Sequence, residues 1–286
     1  MTDEDGSTTV TWDKVQLGTY KQDATFDENQ KIKWRILDYN EETKEALLLA
    51  DKILDYQQYN ETLVNVTWET SSIRKWLNTD EDGFYNTAFT SDEQTAIIES
   101  DVVNENNSKW ETDAGNNTKD KVFLLSISEV QDSSYGFSSD TTSDAISTRC
   151  TEISNYATVK GLQKTAFYGS ASWWLRSPGG GKSWAAVVYY SGGLFEYGNN
   201  VNAGDGVRPA LRVKLSSAYI SDAGTVNSNG ETTASAGDYS KPVVENGVST
   251  WDCVYFGTYK QDAEFTAAPI EWRVLSVEGN TALLLA

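Results

Sequence analysis

The sequence predicts an α+β fold, with short helices packed beside small twisted antiparallel sheets. Three observations predict it: apolar/polar alternation broken by turn-like stretches, Ser-capped segments with helical spacing, and a run of strand-like segments in the last third of the first 215 residues. IKWRILDY (Ile32 to Tyr39) alternates, and EALLLA comes after the turn-like NEETK, which predicts a β-hairpin. SSIRKWL puts Ile73, Trp76 and Leu77 on one helical face behind a Ser cap. Ser91-Asp-Glu-Gln94 is a capping-box pattern before TAIIES and predicts a second short helix. A third such pattern, Ser126-Ile-Ser-Glu129, comes after the strand-like KVFLL. The apolar run SWWLR and the strand-like AAVVYY, LFEY and VRPALRVKL complete a mixed, mostly antiparallel unit.

Composition narrows the function. The 286 residues include 42 acidic and 23 basic side chains, for a formal charge of -19, which argues against nucleic acid or an anionic membrane as partner. Apolar runs fall short of a membrane span, and Met1-Thr-Asp-Glu-Asp lacks the basic and apolar regions of a secretion signal. The chain is therefore either cytosolic or begins after a removed signal. Histidine is absent, which takes away the commonest general base and zinc ligand. Cys150 and Cys253 fall in different units, and their spacing supports neither a disulfide framework nor a thiolate metal site. No cofactor and no metal are expected.

An internal repeat organises the chain. Trp12 to Ala50 reads WDKVQLGTYKQDATFDENQKIKWRILDYNEETKEALLLA, and Trp251 to Ala286 reads WDCVYFGTYKQDAEFTAAPIEWRVLSVEGNTALLLA. GTYKQDA is identical in both, and solvent-type residues such as Lys21, Gln22 and Asp23 recur with the apolar ones, so a shared amphipathic pattern does not account for the match. The reading is an N-terminal tail over 1–11, a domain over 12–215, a Ser/Thr/Gly/Asn-rich linker over 216–250, and the truncated start of a second copy over 251–286. Without the rest of its unit, the second copy is expected to form no core of its own. It should dangle, or dock as added strands on the first unit or on a neighbouring chain.

The segment from Trp173 to Val213 concentrates the aromatics beside turn formers. Trp184, Tyr189, Tyr190, Phe195 and Tyr197 flank SGG and GNNVNAGDG, where burying every ring is difficult. Strand alternation sets Trp184, Ala186, Val188 and Tyr190 on one face and Ala185, Val187 and Tyr189 on the other, so one ring-bearing face must be core. Tyr and Trp offer rigid contact area with a hydrogen-bonding handle, as paratopes and sugar platforms require. Arg176 and Arg208 sit against proline turns and read as structural groups bonding carbonyls or a buried carboxylate. Trp173 and Trp174 read as core. Gly179 to Gly181 lacks the lysine, serine and helix of a phosphate loop. Acidic runs at Asp80 to Asp82, Glu41-Glu42 and Asp101 to Glu105 could serve a carboxylate-dependent carbohydrate-active enzyme or a calcium site, but in so acidic a chain they read as solvated faces.

The combination GTYKQD, WRIL, ALLLA, SSIRKWLN, GFYNTAF, WWLRSPGGG and GVRPALRVKL resembles a bacterial surface-protein domain family. Its last third resembles the C-type-lectin-like fold of formylglycine-generating-enzyme relatives and the variable proteins of diversity-generating retroelements. The resemblance implies a frame comparable to Trp174, Leu175, Arg176, Ser177, Pro178, Ala185, Ala186, Val188, Gly192, Val207, Arg208, Pro209 and Ala210. It also implies a partner-facing set at Trp184, Tyr189, Tyr190, Phe195, Tyr197, Asn202 and Asp205. The related enzyme works through paired cysteines, and this unit has a lone Cys150, so that activity does not carry over. The expected function is a non-catalytic binding module of an extracellular or cell-surface tandem-repeat protein, recognising a protein or glycan. A passive spacer with its rings buried is the third reading.

Overall fold

The computed structural model describes residues 10–141, 148–165 and 169–228, with strands at 232–233, 243–245, 248–250, 253–260, 267–278 and 281–285. Of the expected N-terminal tail, residues 1–9 lie outside the described residues, as do 229–231, 234–242 and 246–247 of the expected linker and the Cys253 side chain. The chain divides into two compact units, Met1–Ser221 with Thr225–Thr232, and Asp222–Gly224 with Thr233–Ala286.

In the first unit, β1 (Thr11–Thr19), β2 (Lys31–Asn40) and β3 (Glu45–Ala50) form an antiparallel meander. Then come β4 (Asp55–Gln58), α1 (Ser72–Asn78), α2 (Phe84–Ala88), α3 (Ser91–Gln94), β5 (Ile97–Ile98), β6 (Ser100–Val102), β7 (Thr118–Asp120) and β8 (Val122–Phe123). After α4 (Asn155–Val159) come β9 (Trp173–Pro178), β10 (Trp184–Val188), β11 (Leu194–Asn200), β12 (Gly204–Val207), β13 (Ala210–Lys214) and β14 (Ser221–Asn227), of which Ser221 and Thr225–Asn227 belong to this unit. The larger sheet runs β14-β1-β2-β3-β13-β5, with β8 also on β13, and a five-stranded sheet runs β11-β10-β9-β12-β4. All pairs in the five-stranded sheet are antiparallel except β12 with β9, which meet in parallel at Gly206 and Trp173.

The α+β, C-type-lectin-like class read from the sequence is corrected by this architecture, which is β-rich: 38% strand against 14% helix. The physical reason is how soon each helix ends after its cap. Ser71 caps α1 as expected, its Oγ accepting from Arg74 N at 3.3 Å. The second capping box is set one residue earlier than its sequence pattern, on Thr90 and Glu93, and α3 stops after one turn because Ile97–Ile98 join β13 as a strand. Ser126 and Glu129 do exchange backbone bonds, at 3.1 and 2.7 Å, yet they open only a 3-10 turn. Helices this short hold only by packing.

Strands fall where alternation and apolar runs placed them. EALLLA is buried from Ala46 through Ala50, as befits a strand covered on both faces. Trp34, Leu47, Leu48, Trp68, Trp173 and Trp174 anchor one continuous core. Part of the segment read as linker is structured: β14 lies beside β1, Ser228 N donates to Val10 O at 2.7 Å, and Val226 joins the core. Its isolated apolar residues among small polar ones hid that strand.

In the second unit the backbone at 253–260, 267–278 and 281–285 forms its own three-stranded antiparallel sheet. Its register copies the first meander. Cys253 pairs with Arg273 as Lys14 does with Arg35, Val254 with Trp272 as Val15 does with Trp34, and Arg273 with Leu285 as Arg35 does with Leu49. The irregularity between Gln16 and Thr19 also returns between Tyr255 and Thr258.

One carboxylate ties the first meander to its exit. Asp51, just past β3, accepts from Arg35 Nε at 2.7 Å and pairs with Lys14 Nζ at 3.4 Å, and all three are buried. Burial pushes the Asp51 carboxyl up, but the Arg35 and Lys14 charges outweigh it and hold the group below the usual carboxylate range. Asp51→Ala should cost about 3–5 kcal/mol in urea unfolding at neutral pH, since it leaves two buried cations without their acid. Because the folded pKa is depressed, this stabilisation is present above the unfolded carboxyl value and is lost as pH falls through the folded one, so parent and variant should converge in acid.

Candidate functional site

The β10–β11 hairpin lies at one side of the five-stranded sheet, with β11 as the edge strand. Along β11, Phe195 and Tyr197 are exposed, Leu194 and Glu196 are half-buried and Gly198 is buried, so the two rings share a face. Tyr197 packs edge-on to Trp184 at 4.9 Å between ring centroids, and Phe195 lies 6.4 Å from Tyr197. Tyr189 sits 6.3 Å from Phe195, and Tyr190 sits 4.2 Å from Tyr189. Five rings named from the sequence thus form one continuous stripe. Tyr189, Phe195 and Tyr197 are 41%, 39% and 40% exposed, while Trp184 and Tyr190 are half-buried.

Simple alternation along β10 does not hold. A register shift between Ala185 and Val187 breaks it, and Ala185 through Val188 are all buried, so neither face of β10 is free. The rings escape burial because they sit at the strand's ends and on the edge neighbour.

Trp110 extends the stripe, 5.3 Å from Tyr197. Lys109 lies 4.8 Å over the Trp110 ring and 3.5 Å from Glu196. Asn107 fastens this loop by donating from Nδ2 to Pro178 O at 2.9 Å and to Glu196 O at 3.0 Å. Sequence reasoning missed Trp110. The signal was a single large ring in the polar stretch NNSKWET, far from the other aromatics in the chain.

Backbone constraints hold the stripe in place. Gly198 has φ 78°, and a Cβ there would strike the Ala185 carbonyl; a Cβ at Gly180 would strike the Tyr197 ring. The tip turn closes through Tyr189 N to Gly193 O at 2.7 Å and Gly192 N to Tyr189 O at 2.8 Å. Arg149, fully buried, donates to Gly192 O at 2.9 Å and to Val130 O at 2.7 Å, and so ties the tip to the core.

Asn202 and Asp205 stand apart from the rings. Asn202 is exposed in the turn before β12, where its backbone O accepts from Gln58 Nε2 on β4 at 2.6 Å. Asp205 is buried, accepting from Asn199 Nδ2 at 2.6 Å, and burial pushes its carboxyl up to about 6.

Trp173 and Trp174, read as core, and Arg176 and Arg208, read as structural groups, are buried. Trp173 and Trp174 are fully buried, the latter donating to Gln57 O at 2.9 Å. Arg176 donates to Leu124 O at 2.8 Å and to Val103 O at 3.1 Å, and pairs with Glu129. Arg208 is fully buried and donates to Ala50 O at 2.9 Å, with its guanidinium 5.2 Å over Trp173. Cys150 is a buried free thiol whose pKa burial pushes up to about 11, which leaves it protonated and a poor nucleophile at neutral pH.

Comparison with known families matches residues 43–215 to a domain of unknown function (DUF6273). The chain belongs to this family. The match spans from the β2–β3 turn to the residue after β13, and so takes in the whole stripe. No curated protein and no solved structure matches the chain. Among the described residues, no helix is long and apolar enough to cross a membrane.

Asp205 supplies a test of the site's electrostatics. Its folded pKa is raised, so ionisation penalises the fold: the penalty is absent below the unfolded carboxyl value, grows between that value and about pH 6, and is complete above. Asp205→Asn keeps an acceptor for Asn199 and should stabilise the protein at pH 7 by about 1–3 kcal/mol, with little effect near pH 4, as read from thermal melts at the two pH values.

Proposed function

We propose that this chain is a non-catalytic binding module of a tandem-repeat bacterial surface or secreted protein, and that it recognises a protein or glycan through the aromatic stripe. The observation that carries the reading is ring exposure. Three of the five rings named from the sequence leave about two-fifths of their surface to solvent along one stripe of ring contacts. A passive spacer would bury them, because exposed ring area is a liability unless a partner covers it.

The stripe suits recognition for a second reason. Rings fixed by Gly180, Gly198 and buried Arg149 lose little freedom on contact, so less of the interaction energy is spent on ordering them. WWLRSPG and GVRPAL then serve as the frame, and the hairpin between them as the display. Repetition of the domain start adds avidity, since linked copies raise the effective concentration of the second contact. An extracellular or cell-surface setting fits such multivalent display.

Tyr189→Ala combined with Tyr197→Ala should abolish the signal that the parent gives on a glycan or protein array, with circular dichroism unchanged because both rings are exposed. Unchanged array binding by the folded double variant would remove the stripe as the site.

A further inference from the structure

Away from the stripe, the first unit holds a cavity of about 810 Å³ walled by Lys14, Lys31, Lys33, Arg35, Lys52 and Thr151. Its size lies within the range of small-molecule sites. Five of its lining residues are cationic and three, Asp23, Asp51 and Glu152, are acidic, a net positive lining in a chain whose formal charge is -19. Two of the five are neutralised at the rim: Lys31 pairs with Glu93 at 3.5 Å and Lys52 with Glu152 at 3.1 Å. Lys14 and Arg35 share Asp51, and Lys33 has no acidic partner among the described residues.

Behind this wall the imbalance deepens. Arg208 interacts electrostatically with Arg35 and Asp51, both of which line the cavity. It has no carboxylate partner among the described residues, and its Nη2 is buried without a hydrogen bond. Lys14, Arg35 and Arg208 are thus three buried cations against one buried acid, Asp51. Burial pulls both the Lys14 ammonium and the Arg208 guanidinium down from their ordinary values. Buried charge is tolerated when an opposite charge accompanies it.

The internal repeat separates what the strands need from what the cavity needs. Where the first copy has Lys14, Lys31 and Lys33, the second has Cys253, Pro269 and Glu271, while Trp34-Arg35 recurs as Trp272-Arg273. Strand register is the same in both. The three lysines are therefore not required to set the meander, and in the first copy they line the cavity.

We infer that the cavity binds a small oxyanion of two or more charges, of phosphate or sulfate type, free or carried on a larger ligand, with Lys14, Lys33 and Arg35 supplying the charge. The anion completes the neutralisation that Asp51 begins.

Calorimetry and amide NMR on the full chain, with inorganic phosphate, inorganic sulfate, and sodium chloride at matched ionic strength, test this. The expected result is saturable binding of phosphate or sulfate, absent with chloride, and shifts clustered at Lys14, Lys33, Arg35 and Thr151. Lys33→Glu puts the second copy's residue type at an exposed position; it should weaken binding at least about ten-fold without changing the melting temperature in anion-free buffer. Lys109→Glu, on the aromatic stripe, should bind as the parent does. No saturable response to either anion at tens of millimolar, or equal losses in the two charge reversals, would overturn the assignment.

Discussion

The structure depends on one antiparallel ladder that passes through both sheets of the first unit. β3 pairs with β13 in the larger sheet, from Glu45 opposite Lys214 to Leu49 opposite Ala210. The same two chain segments then continue as β4 with β12 in the other sheet, from Asp55 opposite Val207 to Gln58 opposite Gly204. At the joint, Ala50 N donates to Pro209 O and Leu54 N to Val207 O, each at 2.9 Å. Arg208 bonds across it to Ala50 O. The GVRPALRV motif therefore makes the junction between sheets. Proline fits there because the joint uses its carbonyl and asks for no N–H.

This ladder explains why two motifs distant in sequence act together. β9, which contains WWLRSP, lies between β10 and β12, so its position is set by that of the joint. Its side chains reach outward from there: Trp174 to β4, Arg176 to Leu124 and Val103, and Ser177 Oγ to Ile127 N at 3.0 Å. These bonds give buried polar side chains backbone partners between elements. The β10–β11 hairpin inherits its rigidity from this arrangement, because β10 is hydrogen-bonded to β9 and β11 to β10.

Much of this was legible in the sequence, for identifiable reasons. Alternation in IKWRILDY and the apolar block ALLLA located β2 and β3, and identity between the copies anticipated a register that the backbone repeats. The rings were legible because turn formers flank them. Helical content was overread, since capping boxes report how a helix starts and carry no information on how long it runs. Trp110 and Arg149 were illegible because their roles are tertiary: one joins the stripe from a loop about 75 residues upstream of Trp184, and the other bonds Gly192 from a segment with no motif. Asp205 lies close to the stripe in the chain, yet its strand turns it inward to Asn199.

The edge position of β11 has a cost as well as a use. An edge strand offers unpaired backbone groups to any passing strand, and aromatic side chains increase that hazard. Here the edge is partly covered: Asn107 occupies the Glu196 carbonyl, Gly180 N donates to Tyr197 O at 2.8 Å, and the Lys109–Glu196 pair sets charge beside the rings. With those backbone acceptors occupied, the stripe offers mainly ring faces and phenol hydroxyls. Under the proposed function, recognition through side chains would leave affinity tunable by exchange of single rings, whereas recognition by strand addition would be largely indifferent to them. A frame fixed by buried arginines and tryptophans tolerates such exchange, because none of the exposed rings contributes to the ladder that joins the sheets.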